Sequence, residues 1–584
     1  MICASDAASV LAGTLDAPHA ALRAVVVIPA RDEAERIRSC VRALAEQEGL
    51  SHDSYELIVV LDGCRDQTAT ILGDIVSSEP QLRLHTLELP APRGVGYARR
   101  AGMDLACSRL LACDRPDGLI ASTDADSVVA TDWLTRQLEL VRDGARAIGG
   151  RIELDPASVA APTPAAWAER ERRAAERVRA LRIEAPPEDA VEHHQFSGAS
   201  LSLTAEAYAR CGGLPVRAAL EDEALERELR SRGVPIHRSS SVKVRTSART
   251  DGRAPRGLAR DLALSDWYAR RSFSAQDFTL ARLLEMKSSS VGLVLPTRQV
   301  AATIGPIAAC ARQLLDCGLL DAALVVDAGS TDGTVDLAEQ AGLVVADEGS
   351  LSSELGPARG KGDAMWRATR ALESEIILFV DTDTELFGQH FLLGMLGPLL
   401  SEPDVQLVKG TFRRPFRAAD GVLPDGGGRV TELMARPLLN LHAPELAAFS
   451  QPLAGETAAR RELLERIPFS EGYGVEIAML IDAWRLVGLD GLAQVDLGVR
   501  QNRHQPLREL SAMAYAVLVA AQTRFLGKEF ADAHACGSMW LPGLDGEAVQ
   551  TRAVPVEERP PLRSLMPVAE ASGPFGPAAL GVTD

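Results

Sequence analysis

The chain has 584 residues, too many for one compact core at about 150 residues per domain, so two to four domains are expected. Hydrophobic residues make up 46% of it, enough for a sizeable buried core, while aromatics are only 4%. The formal net charge of −18 argues against a nucleic-acid partner, which needs a basic stripe, and against binding to anionic membrane surfaces.

Residues 1–22 read as an N-terminal extension without the basic start of a signal peptide. A first domain is expected over 23–255. It opens with the apolar strand AVVVIP at 24–29, followed by helical spacing over Glu35–Glu46. A second strand runs into an acidic turn in LIVVLDGCRDQT, Leu57–Thr68, and a helix follows over Gln67–Val76. A third, in LIASTDADS, ends in the acid pair Asp124 and Asp126. DGRAPRG at 251–257 reads as a turn, and 256–290 as a linker with a lead-in helix. The second domain, 291–530, repeats the order. VGLVLP at 291–296 is followed by ALVVDAGSTDGT at Ala323–Thr334, a helix over Thr334–Gln340, and IILFVDTDT at Ile376–Thr384. The apolar stretch Ala512–Ala521 falls short of the ~20 residues of a membrane span and reads as a core helix. The Pro- and Gly-rich stretch 531–584 is expected to be largely disordered. Nine cysteines with no C-x-x-C spacing point to free thiols and a cytoplasmic location.

Apolar strands alternating with helices imply an α/β class, with parallel strands covered on both faces and two copies of one nucleotide-binding architecture. In such sheets ligands bind beyond the carboxyl ends of the strands, where Asp62, Asp124, Asp126, Asp327, Asp381 and Asp383 fall. Two acids spaced i, i+2 can turn both carboxylates to one ligand edge. Hard divalent cations want such oxygens and share them with phosphates, and a metal neutralises the charge on a diphosphate departing from a sugar. A solvated acidic turn is the plainer account of a lone D-x-D. DAGSTDGT and RGKGDAMW, both upstream of Asp381, favour the ligand.

The order L-P, V-D-A-G-S-T-D-G-T, R-G-K-G-D-A-M-W, F-V-D-T-D resembles the GT-A glycosyltransferase fold. The stretches QLVKGTFRRP, GGRVTELMARPLL, QPLAGE, PFSEGYGVEIAMLID and AQVDLGVR are similar to glucosyl-3-phosphoglycerate synthases, over about residues 265–525. The resemblance implies a retaining, metal-dependent hexosyltransferase that moves glucose from a nucleotide-glucose, UDP-glucose, to 3-phosphoglycerate. It puts Pro296, Asp327, Ser330, Lys361, Thr382 and Tyr473 at the donor. Asp381, Asp383 and Glu476 would meet sugar and metal, and the Leu453 carbonyl would lie near the reacting centre. Gly428, Arg429 and Thr431, with Arg500 and His504, would hold the acceptor, since arginine suits bidentate recognition of phosphate and carboxylate. Asp383, with Asn502 or His504, would hold the metal, Mg²⁺ first and Mn²⁺ or Co²⁺ as alternatives. Two positions depart from the family. Val300 stands where a glutamate is usual, and Asn502 where a histidine ligates the metal.

The first half keeps the acidic loop in VVVIPARDEAERI, the D-A-D, the basic loop RGVGYARRAG, HHQFSGASLSLT and ALEDEALERELRSRG. These resemble family 2 glycosyltransferases more generally, which implies Asp222 as catalytic base and Asp124 and Asp126 as metal ligands. The expected partners are a nucleotide-sugar donor and a phosphorylated small acceptor, with no nucleic acid and no membrane span; a homodimer is left open. Three alternatives stand beside the leading reading. They are mannosyl transfer to the same acceptor, a bifunctional chain with a second acceptor at the first domain, and a non-catalytic scaffold in which Val300 and Asn502 mark lost activity.

Overall fold

The computed structural model describes residues 15–156, 172, 175–176, 178–182, 191–217, 219–252, 257–418, 421–423, 426–501, 506–534, 537–543 and 548–565. The chain divides into two compact units, Met1–Asp266 and Trp267–Asp584. The division falls inside the helix Leu258–Arg271, within the 256–290 stretch read as a linker with a lead-in helix.

The first unit holds strands β1 (Ala24–Ala30), β2 (Tyr55–Asp62), β3 (Leu84–Leu89), β4 (Leu119–Ser122), β5 (Ser127–Val129), β6 (Ala147–Leu154), β7 (Leu201–Thr204) and β8 (Ile236–Thr246). They form one sheet in the order β3-β2-β1-β4-β7-β6-β8-β5. Every residue of β1 and β2 is buried, as their apolar runs require of strands covered on both faces. Successive side chains feed two different cores. Val26, Ile28 and Val59 join one with Trp133; Val25, Val27, Ile58 and Val60 join the other with Met103 and Tyr208. Each large apolar side chain so buried contributes roughly 1.5–3 kcal/mol.

The second unit holds β9 (Ser272–Ser274), β10 (Val291–Thr297), β11 (Ala322–Asp327), β12 (Val344–Asp347), β13 (Ile376–Phe379), β14 (Leu407–Arg413), the hairpin β15 (Phe416–Ala418) and β16 (Gly421–Leu423), β17 (Thr457–Arg460), β18 (Phe469–Ser470), β19 (Leu492–Val499), β20 (Ser538–Leu541), β21 (Gln550–Ala553) and β22 (Glu558–Arg559). Its main sheet runs β12-β11-β10-β13-β17-β14-β19-β9, the same order of equivalent strands as in the first unit except at the last edge. That edge is β5, antiparallel to β8, in one case and β9, parallel to β19, in the other.

The α/β class therefore holds, but the sheets are mixed. β7 runs antiparallel to β4 and β6, and β17 antiparallel to β13 and β14. A strand covered on both faces reads as apolar whichever way it runs, so the pattern did not reveal direction. The lead-in segment also does more than link, since it supplies β9. The tail expected to be disordered is partly ordered. β20 pairs β21, and β22 pairs β18, where Phe469 faces Arg559. Strands of two to four residues are too short to show a periodicity in the sequence.

Among the described residues no helix is long and apolar enough to cross a membrane. The apolar stretch near 512–521 belongs to the helix Leu507–Leu526, which also carries Arg508, Glu509 and Arg524. All cysteines among the described residues are free.

Candidate active site

The loops after β10, β11 and β13 meet at the carboxyl end of the second sheet. Pro296 and Thr382 are joined there, the Thr382 hydroxyl donating to the Pro296 carbonyl at 2.7 Å. Asp327 is 5% exposed and accepts from the Ser330 backbone N–H at 2.7 Å, the Ser330 hydroxyl at 2.6 Å and the Thr297 hydroxyl at 3.0 Å. Ser330 Oγ in turn accepts from the Gln299 N–H at 2.9 Å. Asp327 and Ser330 thus bind each other and set the shape of the loop.

Behind these loops lies a cluster of charges. The first residue of the helix Lys361–Ala371 sends its ammonium between Asp381, in close contact, and Glu476 Oε1 at 2.7 Å. Glu476 sits in the first turn of the helix Val475–Val487, where the helix dipole favours an acid. Arg500 is 2% exposed beneath the D-T-D pair. It donates to Asp381 at 2.9 Å, Asp383 at 2.7 Å, Glu456 at 3.1 Å and Thr384 Oγ1 at 3.1 Å, and its guanidinium lies 5.1 Å from the Phe412 ring centre. Burial alone would raise the Asp381 carboxyl, but Lys361 and Arg500 outweigh it and hold that group well below the usual carboxylate range. Burial likewise opposes the charge on Lys361, yet Asp381 and Glu476 keep it protonated far above an ordinary lysine.

The chain approaches this cluster closely at Gly455. A Cβ there would lie 2.2–2.3 Å from the Asp381 carboxylate, so only glycine fits. Leu453 is in the same turn, which is closed by the Ala454 N–H donating to the Gln451 carbonyl at 3.0 Å. Under it, Lys409 is fully buried and donates to the Ala454 carbonyl and to Thr457 Oγ1 at 2.9 Å. Burial, with Lys361 nearby, pushes its ammonium down to about 8.

The GGRVT turn lies beside Arg414. The Gly427 N–H donates to the Arg414 carbonyl at 2.9 Å, and Gly428 adopts φ of +71°. Arg429 lies 5.3 Å over the Phe416 ring, and Thr431, 2% exposed, starts a five-residue π-helix, Thr431–Ala435. Arg414 Nε is buried without a hydrogen-bond partner among the described residues, and burial beside Arg500 pushes its guanidinium down to about 10. An unpaired buried donor of this kind is costly unless a ligand meets it.

The structure thus gathers Lys361, Thr382, Asp381, Asp383, Glu476 and the Leu453 turn, with Tyr473 half exposed at the start of the Glu476 helix. Arg500, expected at the acceptor, has each of its three nitrogens committed to neighbours instead. Its signal in the sequence, an arginine after a strand, could not tell a buried brace from a surface fork. Glu456, Lys409 and Arg414 had no role assigned from sequence. All three lie in the family-like stretches, and a lysine inside the apolar strand LVKGTFR was the available clue. Asn502 and His504 lie outside the described residues. Of the four carboxylates Asp383 is the most exposed, at 53% of its side chain. Its hard oxygens at the strand end fit a divalent cation shared with a diphosphate, while Asp381 is occupied by two cations.

In the first unit Arg99 spans Asp124 at 2.8 Å and Glu221 at 3.2 Å. Asp222 accepts from the Gly198 N–H at 3.2 Å, and burial with Glu221 beside it raises its carboxyl, as a proton acceptor needs. Asp126 is held by Arg249 at 2.9 Å. Asp124 and Asp126, expected as metal ligands, each face a guanidinium, as Asp383 does, but Asp126 is 12% exposed where Asp383 is 53%. Among the described residues the one group with metal-ligand spacing is Asp32, Cys64 and Asp66, whose carboxylates already accept backbone N–H groups of Arg65, Ala34 and Thr68.

The profile of Glycosyl transferase family 2 matches residues 25–185 and 293–421, one segment in each unit. Glucosyl-3-phosphoglycerate synthase from Mycolicibacterium smegmatis is 39% identical over 302 residues, 52% of this chain and 98% of that protein. The synthase from Petrotoga mobilis is 38% identical over 319 residues, 52% of this chain and 96% of that protein. Among solved structures, mannosyl-3-phosphoglycerate synthase from Rubrobacter xylanophilus is similar at 42% identity, over 52% of this chain and 98% of that chain, with a TM-score of 0.47. Glucosyl-3-phosphoglycerate synthase from Mycobacterium tuberculosis, in complex with Mn²⁺, uridine-diphosphate-glucose and phosphoglyceric acid, is similar at 38% identity over 50% of this chain and 96% of that chain, with a TM-score of 0.45.

Proposed function

This chain belongs to the glucosyl-3-phosphoglycerate synthase family of hexosyltransferases, and from that premise we propose that its second unit transfers glucose from UDP-glucose to 3-phosphoglycerate. The observation that carries the reading is the Asp381–Lys361–Glu476 bridge at the carboxyl ends of β10, β11 and β13. An ammonium held by two acids is a mobile counter-charge. It can turn to a diphosphate while Asp381 and Glu476 turn to sugar hydroxyls. A divalent ion on Asp383, Mg²⁺ or Mn²⁺, would neutralise the charge building on the departing diphosphate. Arg500 positions Asp381 and Asp383 from below. Lys409 braces the Leu453–Gly455 turn, so that the Leu453 carbonyl faces the sugar. Arg429 and Arg414, rather than Arg500, meet the acceptor's phosphate and carboxylate.

The test is a donor-by-acceptor screen on the full chain with UDP-glucose, GDP-glucose and GDP-mannose, in Mg²⁺, in Mn²⁺ and in EDTA. Glucose transfer to 3-phosphoglycerate that needs the ion is expected; a preference for mannose would move the donor assignment. Asp383→Ala should fold normally and lose at least about a hundredfold in kcat/KM. Undiminished metal-dependent transfer would sink the Asp383 assignment. Arg429→Lys keeps the charge but loses the planar fork. The KM for 3-phosphoglycerate should rise roughly tenfold, the equivalent of one charge-assisted hydrogen bond, with the donor KM little changed. A rise in the donor KM instead would mean the acceptor site is elsewhere.

A further inference from the structure

The two units share an arrangement in which a cation from the loop helix bridges the first acid of the pair to an acid opening a later helix. The bridges are Asp381–Lys361–Glu476 and Asp124–Arg99–Glu221. At the second acid they diverge. β8 and β19 hold the same place in their sheets. Thr246 at the end of β8 pairs with Leu154 at the end of β6, and Val499 at the end of β19 pairs with Arg413 at the end of β14. Three residues beyond Thr246 stands Arg249; three beyond Val499 stands Asn502. Glu33 and Val300 also match, for their backbone N–H groups donate to Thr68 Oγ1 at 2.8 Å and Thr334 Oγ1 at 2.9 Å.

The first unit therefore has Glu33 where the second has Val300, and Arg249 where the count along the sequence gives Asn502; Glu33 and Arg249 are partners. Arg249 forks onto Glu33 at 2.7 and 3.1 Å and holds Asp126 at 2.9 Å. Beneath the pair the pattern reverses. Arg500, just after β19, and Glu456, just before β17, correspond to Ser247 and Ser200, just after β8 and just before β7. Both second acids touch a guanidinium, Arg249 at Asp126 and Arg500 at Asp383, but the Asp126 side chain is 12% exposed and that of Asp383 53%, so an ion can reach Asp383 without displacing its arginine and cannot so reach Asp126. Displacing Arg249, whose side chain is 17% exposed, would strand a largely buried charge.

We propose that the first unit works without a divalent ion, Arg249 supplying at Asp126 the positive charge that the second unit takes from a metal at Asp383. A nucleotide sugar entering the first unit meets a guanidinium fork, which suits a diphosphate. The comparison rests on the reading of Asp383 as a metal ligand, and the experiment separates the two.

The experiment counts Mn²⁺ bound to the full chain by electron paramagnetic resonance, with the ion alone and with UDP. No more than one ion per chain is expected, lost in Asp383→Ala and kept in Asp126→Asn. Arg249→His, which returns a metal-binding side chain to that position, should add one. Two ions on the wild-type chain, loss of an ion in Asp126→Asn, or no added ion in a folded Arg249→His would overturn the proposal. Because the decisive readout is a gain, an unfolded variant cannot imitate it. Should Arg249→His fail to fold, Arg249→Gln, with an amide oxygen, carries the same arm. If the wild-type chain binds no Mn²⁺, the Asp383 reading fails, and the ion added by Arg249→His still decides this one.

Discussion

Replacing Arg500 with methionine should destabilise the second unit by about 3–5 kcal/mol at neutral pH and reduce transfer roughly a hundredfold or more. Methionine fills much of the same volume beside Phe412 but leaves Glu456, fully buried, and Asp381 without their guanidinium. Removing one partner of a buried ionic network costs more than the network contributes, because the remaining charges stay desolvated. The loss should depend on pH in a stated direction. The carboxyl of Asp381 is depressed in the folded chain, so its stabilisation is present above about pH 3.9 and is lost as the pH falls below that. In the variant, Glu456 loses its counter-charge and Asp381 keeps only Lys361, so protonation of the buried Glu456 relieves part of the deficit on acidification. The gap between wild type and variant should therefore be widest near pH 7 and narrow towards pH 4, as measured by urea unfolding at several pH values. A constant gap, or a stable variant with lost acceptor affinity alone, would return Arg500 to the acceptor. Arg500→Lys keeps one charge but cannot reach four partners, and should fall between the two.

Arg559→Ala should cost about 2–3 kcal/mol and lower kcat, although Arg559 lies far along the chain from the D-T-D pair. Asp363 stands two residues after Lys361 in the same helix and is 0% exposed. Arg559 binds both its oxygens, at 2.8 and 2.9 Å, while Arg367 and the Arg359 backbone N–H supply the rest. The strand that carries Arg559 is tied in from both sides. The Glu471 N–H donates to the Glu557 carbonyl at 2.9 Å, the Gly362 N–H donates to the Glu471 carbonyl at 2.8 Å, and Trp366 Nε1 donates to the Pro560 carbonyl at 2.9 Å. Residues 557–560 therefore hold the loop that presents Lys361. Two readouts separate positioning from mere stability. kcat should fall with the 3-phosphoglycerate KM nearly unchanged, and at a temperature where the variant is fully folded the deficit should persist. Arg559→Lys should recover part of both. If kcat is normal whenever the variant is folded, the tail is a structural strap without influence on Lys361.

The parts legible in the sequence share one property: their signal is local. AVVVIP, LIVVLD, VGLVLP, ALVVD and IILFV read as buried strands because their residues are apolar almost without interruption, and β1, β2, β10, β11 and β13 stand there. The acid pairs read as strand-end ligands because their spacing is two. Long stretches such as GGRVTELMARPLL and PFSEGYGVEI carried the family for the same reason. What only the tertiary structure decided is which charge faces which. Arg500 reads like Arg429 in sequence; one is sealed under three carboxylates and the other lies over an aromatic ring. Asp124 and Asp126 read like Asp381 and Asp383, and what sets the second acids apart is the approach of Arg249 and the deeper burial of Asp126. The short polar strand Glu558–Arg559 has no periodicity to read, and its order comes from Phe469, Asp363 and Trp366. A carboxylate's role depends on the Coulomb field and solvent exposure at its position, and both are set by residues from 20 to 196 places away, where spacing along the chain carries no information.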